Sequence, residues 1–298
     1  MGIVRFDTIS QYSTFNNHET LHPLVNVIDL SKAAPRQFSR MSYGFYTIFL
    51  KQIVCGDLRY GKQYYDYQEG TLIFLAPGQL IGVENNGEYY QPQGHALVFH
   101  ADLLLGTSLG THIQEYSFFS YAVNEALHLS EKEQQIVFDC FNKIKYELEH
   151  AVDNHSKQLI VANIELFLKY CKRFYDRQFI TRDAVNRGVL EKFEQLLNNY
   201  FQSELPQKIG LPTVAYMAAA LHLSSNYFGD LIKKESGQSA QEYIQAKIIE
   251  AAKQRLYDPS KTVNEIAYEL GFKYPQHFSR LFKQRVGATP LEFRNAEH

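Results

Sequence analysis

The 298-residue chain has no tryptophan, three methionines and three cysteines. Cys55, Cys140 and Cys171 form no CxxC pair. A set so small and odd excludes a disulfide framework and fits reduced thiols, so a cytoplasmic location is expected. No apolar run approaches the roughly 20 residues that cross a bilayer, so no membrane span is expected. No basic start followed by an apolar core opens the chain, so no secretory signal is read. An excess of one charge is missing too: 30 Lys/Arg stand against 32 Asp/Glu, a net of −2. That balance argues against wholesale electrostatic attraction to nucleic acid or to an acidic membrane. The full Walker spacing GxxxxGK[ST] and GxGxxG are also missing, the spacing GxSxG occurs once at Gly106–Gly110, and neither a catalytic residue nor a cofactor is expected.

What is present is ordinary for a soluble globular chain: 45% apolar and 21% charged residues. The length is about twice the usual ~150-residue domain, so two domains are expected. Charge divides along the chain. Residues 1–183 hold 16 basic against 20 acidic residues, and residues 184–298 hold 14 against 12. Within 273–287 lie Lys273, Arg280, Lys283 and Arg285 with no acid.

Residues 1–30 show no clear periodicity and read as an N-terminal arm. From Phe38 to Phe99 the pattern is β-like. Met41–Leu50 reads as one aromatic, β-branched strand. Further short strands are expected at Ile53–Tyr60, Tyr64–Tyr67, Thr71–Leu75, Leu80–Val83 and Ala96–Phe99, separated by glycine-containing turns. Such spacing predicts a small barrel or sandwich. From Leu129 the period becomes helical. Val137, Phe141, Ile144 and Leu148 form one stripe, and Ile160, Ile164, Phe167, Cys171 and Phe174 another. Ser130 with Glu133 reads as a capping box. The two helices read as a hairpin whose stripes either cover the barrel or, in part, pair with a second copy. Residues 181–188 read as a linker.

The last hundred residues contain a repeat. Phe228–Tyr243 runs beside Phe278–Phe293 at an offset of 50, with Phe, Leu, Lys, Gly and Glu recurring in register. Each copy reads as helix, tight turn, helix, glycine stop and the start of another helix. Ser239 with Glu242, Thr262 with Glu265, and Thr289 with Glu292 are S/T-x-x-E capping boxes. Gly237 and Gly287 are placed as C′ residues with positive φ, and Gly271 sits in a turn that needs a small residue. Two helices across a tight turn, the second of them basic, make a helix-turn-helix whose second helix fits a DNA major groove. A protein-binding helical repeat is the competing reading, although a solenoid normally needs about three units or more.

On these residues the segment 205–294 resembles the DNA-binding domain of the AraC/XylS family of bacterial transcription regulators. The resemblance rests on Ala218 and Ser224–Phe228 in the first unit. In the second it rests on Ile266, Ala267, Gly271, Phe272, Phe278–Lys283, Gly287 and Thr289–Arg294. It covers about a third of the chain. It implies a double helix-turn-helix joined by a long helix, here about Ala240–Leu256, that reads adjacent major-groove segments of double-stranded DNA. It also implies a homodimer, with RNA polymerase as a protein partner. More weakly, Gly70–Gly78 and Val98–Leu104 resemble the family's cupin-like sensing domain, and the helices after it resemble its dimerisation hairpin. The expected architecture is therefore α+β in two domains. Residues 1–128 form an arm and a small cupin-like β-barrel that senses an unidentified small effector. Residues 129–180 form the hairpin, 181–188 the linker and 189–298 the all-α DNA-binding domain.

Placed on the family pattern, the exposed positions of the first recognition helix are Ser225, Asn226, Gly229 and Asp230. Those of the second are Gln276, Ser279 and Arg280. Lys233 and Lys234 are expected to hold phosphates, and Lys273 and Lys283 are expected at the DNA interface. Arg pairs bidentately with guanine and Gln with adenine. Gly229 has no side chain, and Asp230 is an acid facing a polyanion where the family often has a donor. The second unit is therefore expected to carry most of the sequence readout.

Cupin folds also host metal-dependent oxygenases, so such an enzyme fused to a regulator was weighed. Its ligands usually begin with two histidines at i and i+2. The histidines of the first domain are His18, His22, His95, His100 and His112, with no His-x-His pair. No metal site and no enzyme activity are expected. The aromatic strands, drawn from 21 Tyr and 21 Phe in the chain, read as core before ligand stacking, with an aromatic pocket for a small effector as the open alternative.

Overall fold

A computed structural model describes residues 3–37, 39–51, 70–82, 89–122, 125–150, 153, 155–181 and 183–296. It divides into two compact units, residues 1–181 and 182–298. The expected strands at 53–60 and 64–67, and Cys55, lie outside the described residues.

The first unit mixes strands and helices. Its strands are β1 (Ile3–Phe6), β2 (Val25–Asp29), β3 (Arg36–Gln37), β4 (Arg40–Tyr43), β5 (Tyr46–Lys51), β6 (Thr71–Leu75), β7 (Leu80–Ile81), β8 (Tyr89–Tyr90), β9 (His95–Phe99) and β10 (Leu127–His128). Its helices are α1 (Ile9–Phe15), α2 (Ser108–His112), α3 (Glu131–Glu149) and α4 (Ser156–Thr181). Among the described residues a five-stranded antiparallel sheet runs in the order β10-β6-β5-β9-β2, beside a three-stranded sheet β1-β4-β7 and the pair β3-β8. Thr71–Leu75 is β6 as expected, and all five of its residues are buried. One core cluster gathers Phe6, Ile9 and Tyr12, Met41 and Tyr43, Ile73 and Leu75, and Ala96 and Val98, from both larger sheets. The rings of Tyr12, Tyr43 and Phe45 pack on one another, at 5.3 Å for Tyr12–Tyr43 and 5.8 Å for Tyr43–Phe45.

Three expectations are corrected here. The segment 1–30 is not a structureless arm: β1 pairs in parallel with β4, β2 pairs with β9, and α1 lies between them. Thr8 and Gln11 cap α1 reciprocally, with the Asp7 and Thr8 N–H groups donating to Gln11 Oε1 at 2.8 and 3.2 Å. That T-x-x-Q signal precedes a helix of only seven residues, too short to show a period. The stretch 41–50 is two strands in different sheets, broken at Gly44, whose N–H donates to Phe6 O at 2.8 Å. The expected linker is helical, because α5 (Asp183–Gln202) begins inside it. Ala184–Arg187 contains no helix breaker, and Gly188 alone costs only about 1 kcal/mol against alanine.

Helices α3 and α4 bury both expected stripes inside the unit. Phe167 reaches Phe74 of β6 and Phe141 of α3. Arg177 of α4 forks onto Glu133 of α3 at 3.0 and 2.9 Å and donates to His128 O at 2.7 Å. The stripes therefore cover the sheet. The large apolar side chains exposed on these helices are others: Tyr146, Leu159, Leu166 and Ile180. Among the described residues no helix is long and apolar enough to cross a membrane.

The second unit is all helical among its described residues. After α5 come α6 (Leu205–Ile209), α7 (Val214–Ala220), α8 (Ser225–Ser236), α9 (Ala240–Leu256), α10 (Val263–Glu269), α11 (Pro275–Val286) and α12 (Pro290–Ala296). The expected long helix coincides with α9.

Candidate nucleic-acid interface

Each copy of the repeat is closed at both ends by backbone chemistry. In the first, the His222 N–H donates to Ala219 O at 3.1 Å and the Leu223 N–H to Ala218 O at 2.9 Å. In the second, the Gly271 N–H donates to Tyr268 O at 3.0 Å and the Phe272 N–H to Ala267 O at 2.9 Å. Both are Schellman closures, with the left-handed residue at His222 (φ 58°) and Gly271 (φ 93°). Gly271 cannot carry a side chain, since a Cβ there would stand 2.6 Å from the Gly210 carbonyl group. The second helices end at Gly237 (φ 74°) and Gly287 (φ 87°), whose N–H groups donate to Lys233 O and Lys283 O. The three expected capping boxes all form. Their reciprocal hydrogen bonds hold the carboxyls of Glu242, Glu265 and Glu292 below the usual glutamate range.

Buried side chains set how each second helix is rotated. Phe228, Leu231 and Ile232 fix α8, and Phe193 of α5 meets Phe228 edge-on at 4.9 Å. Phe278 and Phe282 fix α11, and Phe272 in the turn lies 5.3 Å from Phe278. At 100° per residue the opposite face of α11 centres on Arg280. Gln276, His277, Arg280, Lys283 and Gln284 are exposed there, and Ser279 is half-buried. On α8, Ser225, Asn226, Lys233 and Lys234 are exposed, whereas Gly229 and Asp230 are half-buried. The offset of 50 equates Asn226 with Gln276, Gly229 with Ser279, Asp230 with Arg280 and Lys233 with Lys283. All nine residues expected at the interface thus lie on the two second helices, except Lys273, which is exposed in the turn before α11.

The two faces differ in charge and at their heads. Helix α11 carries Arg280, Lys283 and Arg285 and no acid, while α8 balances Lys233 and Lys234 against Asp230 and Glu235. Arg285 lies off the outward face and donates to Gln245 of α9. Helix α8 is capped by Ser224, whose hydroxyl accepts from the Tyr227 N–H at 3.2 Å. Helix α11 has Tyr274 at that place with no side-chain cap, and Pro275 in its first turn. Between the matching left-handed residues and the second helices the second copy is one residue longer: the offset is 49 at His222/Gly271 and 50 at Ser225/Pro275.

His277 and Gln284 were not among the expected interface residues. The repeat equates His277 with Tyr227, which is buried, so register alone assigns it to the core. The helical wheel of α11, taken by itself, places both on the outward face.

Of the histidines considered as metal ligands, His18, His22 and His100 have hydrogen-bond partners on the backbone. His18 Nε2 faces the backbone of Asp29, the Leu24 N–H donates to His22 Nδ1 at 3.1 Å, and the Asp102 N–H donates to His100 Nδ1 at 3.2 Å. His95 stands across the sheet from Asp29 and edge-on to Phe138, and burial pushes its pKa down. Among the described residues no three His, Cys, Asp or Glu side chains are grouped to hold a metal ion. Cys140 and Cys171 are buried, and burial raises both thiols.

A helix-turn-helix domain family matches residues 217–296. The chain is similar to the raffinose operon transcriptional regulatory protein RafR of Pediococcus pentosaceus. The two are 33% identical over 240 residues, which is 77% of this chain and 83% of that protein. It is also similar to the uncharacterised HTH-type transcriptional regulator YtdP of Bacillus subtilis, 26% identical over 241 residues. That match covers 68% of this chain but only 30% of YtdP, so the chain spans under a third of that relative's length. Among solved structures it is similar to the C-terminal domain of the response regulator yesN from Fusobacterium nucleatum. Identity there is 29%, over 34% of this chain and 96% of that one, with a TM-score of 0.30.

Proposed function

The chain belongs to the AraC/XylS family of transcriptional regulators, and on that premise we propose that it binds double-stranded DNA sequence-specifically, reading mainly through its second helix-turn-helix. The observation that carries this reading is the outward face of α11, where Gln276, Arg280 and Lys283 stand exposed with no acid on the helix. Arg280 pairs with a guanine and Gln276 with an adenine in the major groove, and Ser279 contacts a neighbouring edge. Lys273 and Lys283 hold phosphates. In the first unit Lys233, Lys234 and Ser225 position the protein on the backbone, and Asn226 offers a single base contact. Phosphate contacts position without specifying, so the first unit contributes affinity more than selectivity.

The remaining roles follow the family. Residues 1–128 serve as a cupin-like, barrel-type sensing domain for a small effector, and the hairpin 129–180 joins two copies through its exposed positions Tyr146, Leu159 and Leu166. Residues 189–298 form the DNA-binding domain. The regulator works in the cytoplasm and acts on RNA polymerase at its promoters. With a net charge of −2, few phosphates are neutralised per chain, and a dimer on two half-sites multiplies the affinity. Footprinting on the protein's own upstream region tests this. Two half-sites are expected, each spanning two major-groove segments about one helical turn (~34 Å) apart. A single short half-site, or no retardation of genomic fragments at low salt, contradicts it. For the effector, the RafR resemblance makes oligosaccharides the first panel for thermal-shift measurements on the full chain. A flat response across sugars and other metabolites removes the sensing role.

A further inference from the structure

We propose that Tyr274 and His277, at the head of α11, form an aromatic pair that reads one thymine beside the bases taken by Gln276 and Arg280. The inference rests on the DNA-binding reading above and adds residues which that reading does not assign. Tyr274 is 46% exposed although it stands where a small capping residue stands in the first unit. Its ring lies 5.5 Å from that of His277, at 71°. The ammonium of Lys273 sits 5.6 Å over the Tyr274 ring. His277 shares the outward face with Arg280, one turn further along the helix.

The first unit builds nothing comparable. Ser224 caps α8 there, and Tyr227, the counterpart of His277, is buried in the core. The extra residue in the second turn, together with Pro275 in the first turn of α11, accompanies a Tyr274 that does not cap the helix. Two rings thus stand at the end of a recognition helix from which base edges are usually contacted. The segment that carries them is basic, with Lys273, Arg280 and Lys283 and no acid from 273 to 287, which fits a polyanion rather than an apolar protein partner. The apolar feature of the major groove is the thymine 5-methyl group, and ring edges are suited to it. Lys273 over the outer ring places a cation toward the adjoining phosphate.

The test begins with selection of binding sites from a randomised duplex by the full-length protein. Each thymine of the selected site is then replaced by uracil, which removes only the methyl group. One position in the half read by the second unit is expected to weaken wild-type binding about four-fold, the worth of one buried methyl. Tyr274→Ala and His277→Ala proteins are expected to bind the thymine and uracil sites alike, while keeping the Arg280-dependent base preference. Both residues are exposed, so unchanged thermal unfolding of the variants verifies their folding. If no uracil substitution affects the wild type, or if the variants keep the same thymine preference, the aromatic pair does not read DNA, although the Arg280 reading stands. If the wild type selects no sequence at all, the DNA-binding reading falls and this inference with it.

Discussion

At the scale of single residues, the two copies of the repeat differ at a left-handed backbone position. His222 occupies the left-handed conformation that Gly271 occupies in the second copy. A side chain costs about 1–2 kcal/mol in that region. His222 is exposed, so His222→Gly is expected to stabilise the protein by up to about 1 kcal/mol, read by urea unfolding. An unchanged or lower midpoint would show that the imidazole makes a compensating contact. Gly271→Ala acts in the opposite direction. It meets the same penalty of about 1–2 kcal/mol and adds a methyl 2.6 Å from Gly210 backbone atoms. A marked loss of stability is expected, and a neutral result would contradict the close approach. Lys233→Ala belongs to the same scale. Its side chain is exposed on α8, and as a phosphate contact its loss is expected to weaken all DNA sequences alike and to lower the salt slope by about one. A sequence-dependent effect would make Lys233 a base reader.

At the scale of elements, the capping boxes of α9, α10 and α12 supply a pH dependence. Glu242 is held down mainly by the Ser239 hydroxyl, Glu265 by the Thr262 N–H and Glu292 by the Thr289 N–H. A carboxyl depressed on folding stabilises the protein above its unfolded value. That stability is lost as the pH falls below about 4.3 and on through the lower native values. Glutamine also fits the N3 position of a capping box. The triple variant Glu242→Gln, Glu265→Gln, Glu292→Gln should therefore unfold at nearly the wild-type midpoint at pH 7 and lose less stability between pH 5 and 3. An unaltered acid slope would place the acid sensitivity elsewhere.

The same elements show what the sequence made legible. The 50-residue repeat, the S/T-x-x-E boxes and the glycine stops are short-range backbone chemistry, so α9 and its flanking caps were readable. β6 was readable because all five of its residues face a core. The arm was not, since a seven-residue helix and strands as short as β1 carry too little periodicity. The stretch 41–50 reads as one strand because most of its residues are aromatic or β-branched. Which sheet each half joins depends on the partner strands β1 and β6, which lie far along the chain. His277 escaped because the repeat register and the helical wheel disagree at that position, and burial follows the wheel.

At the scale of the molecule, the chain pairs a mixed α+β unit with an all-helical one. The stripes expected to mediate pairing are spent inside the first unit, and the large apolar side chains these two helices leave exposed are Tyr146, Leu159, Leu166 and Ile180. Leu159→Glu with Leu166→Glu is expected to convert a dimer to monomer in analytical ultracentrifugation without loss of helix content. A dimer that survives both changes would move the interface elsewhere. The second helices of the two copies share one scaffold but not one charge pattern. Arg280 is exposed on an acid-free helix, whereas its counterpart Asp230 is half-buried on a charge-balanced one.

The most direct measurement is binding of wild-type, Arg280→Ala and Asn226→Ala proteins to a selected operator and to its complete set of single base-pair substitutions. Arg280→Ala is expected to cost about 1–3 kcal/mol on the operator and to flatten discrimination at one base pair. Asn226→Ala is expected to cost less and to leave the preference nearly intact. If Asn226→Ala disturbs base preference more than Arg280→Ala does, the second helix-turn-helix is not the principal reader.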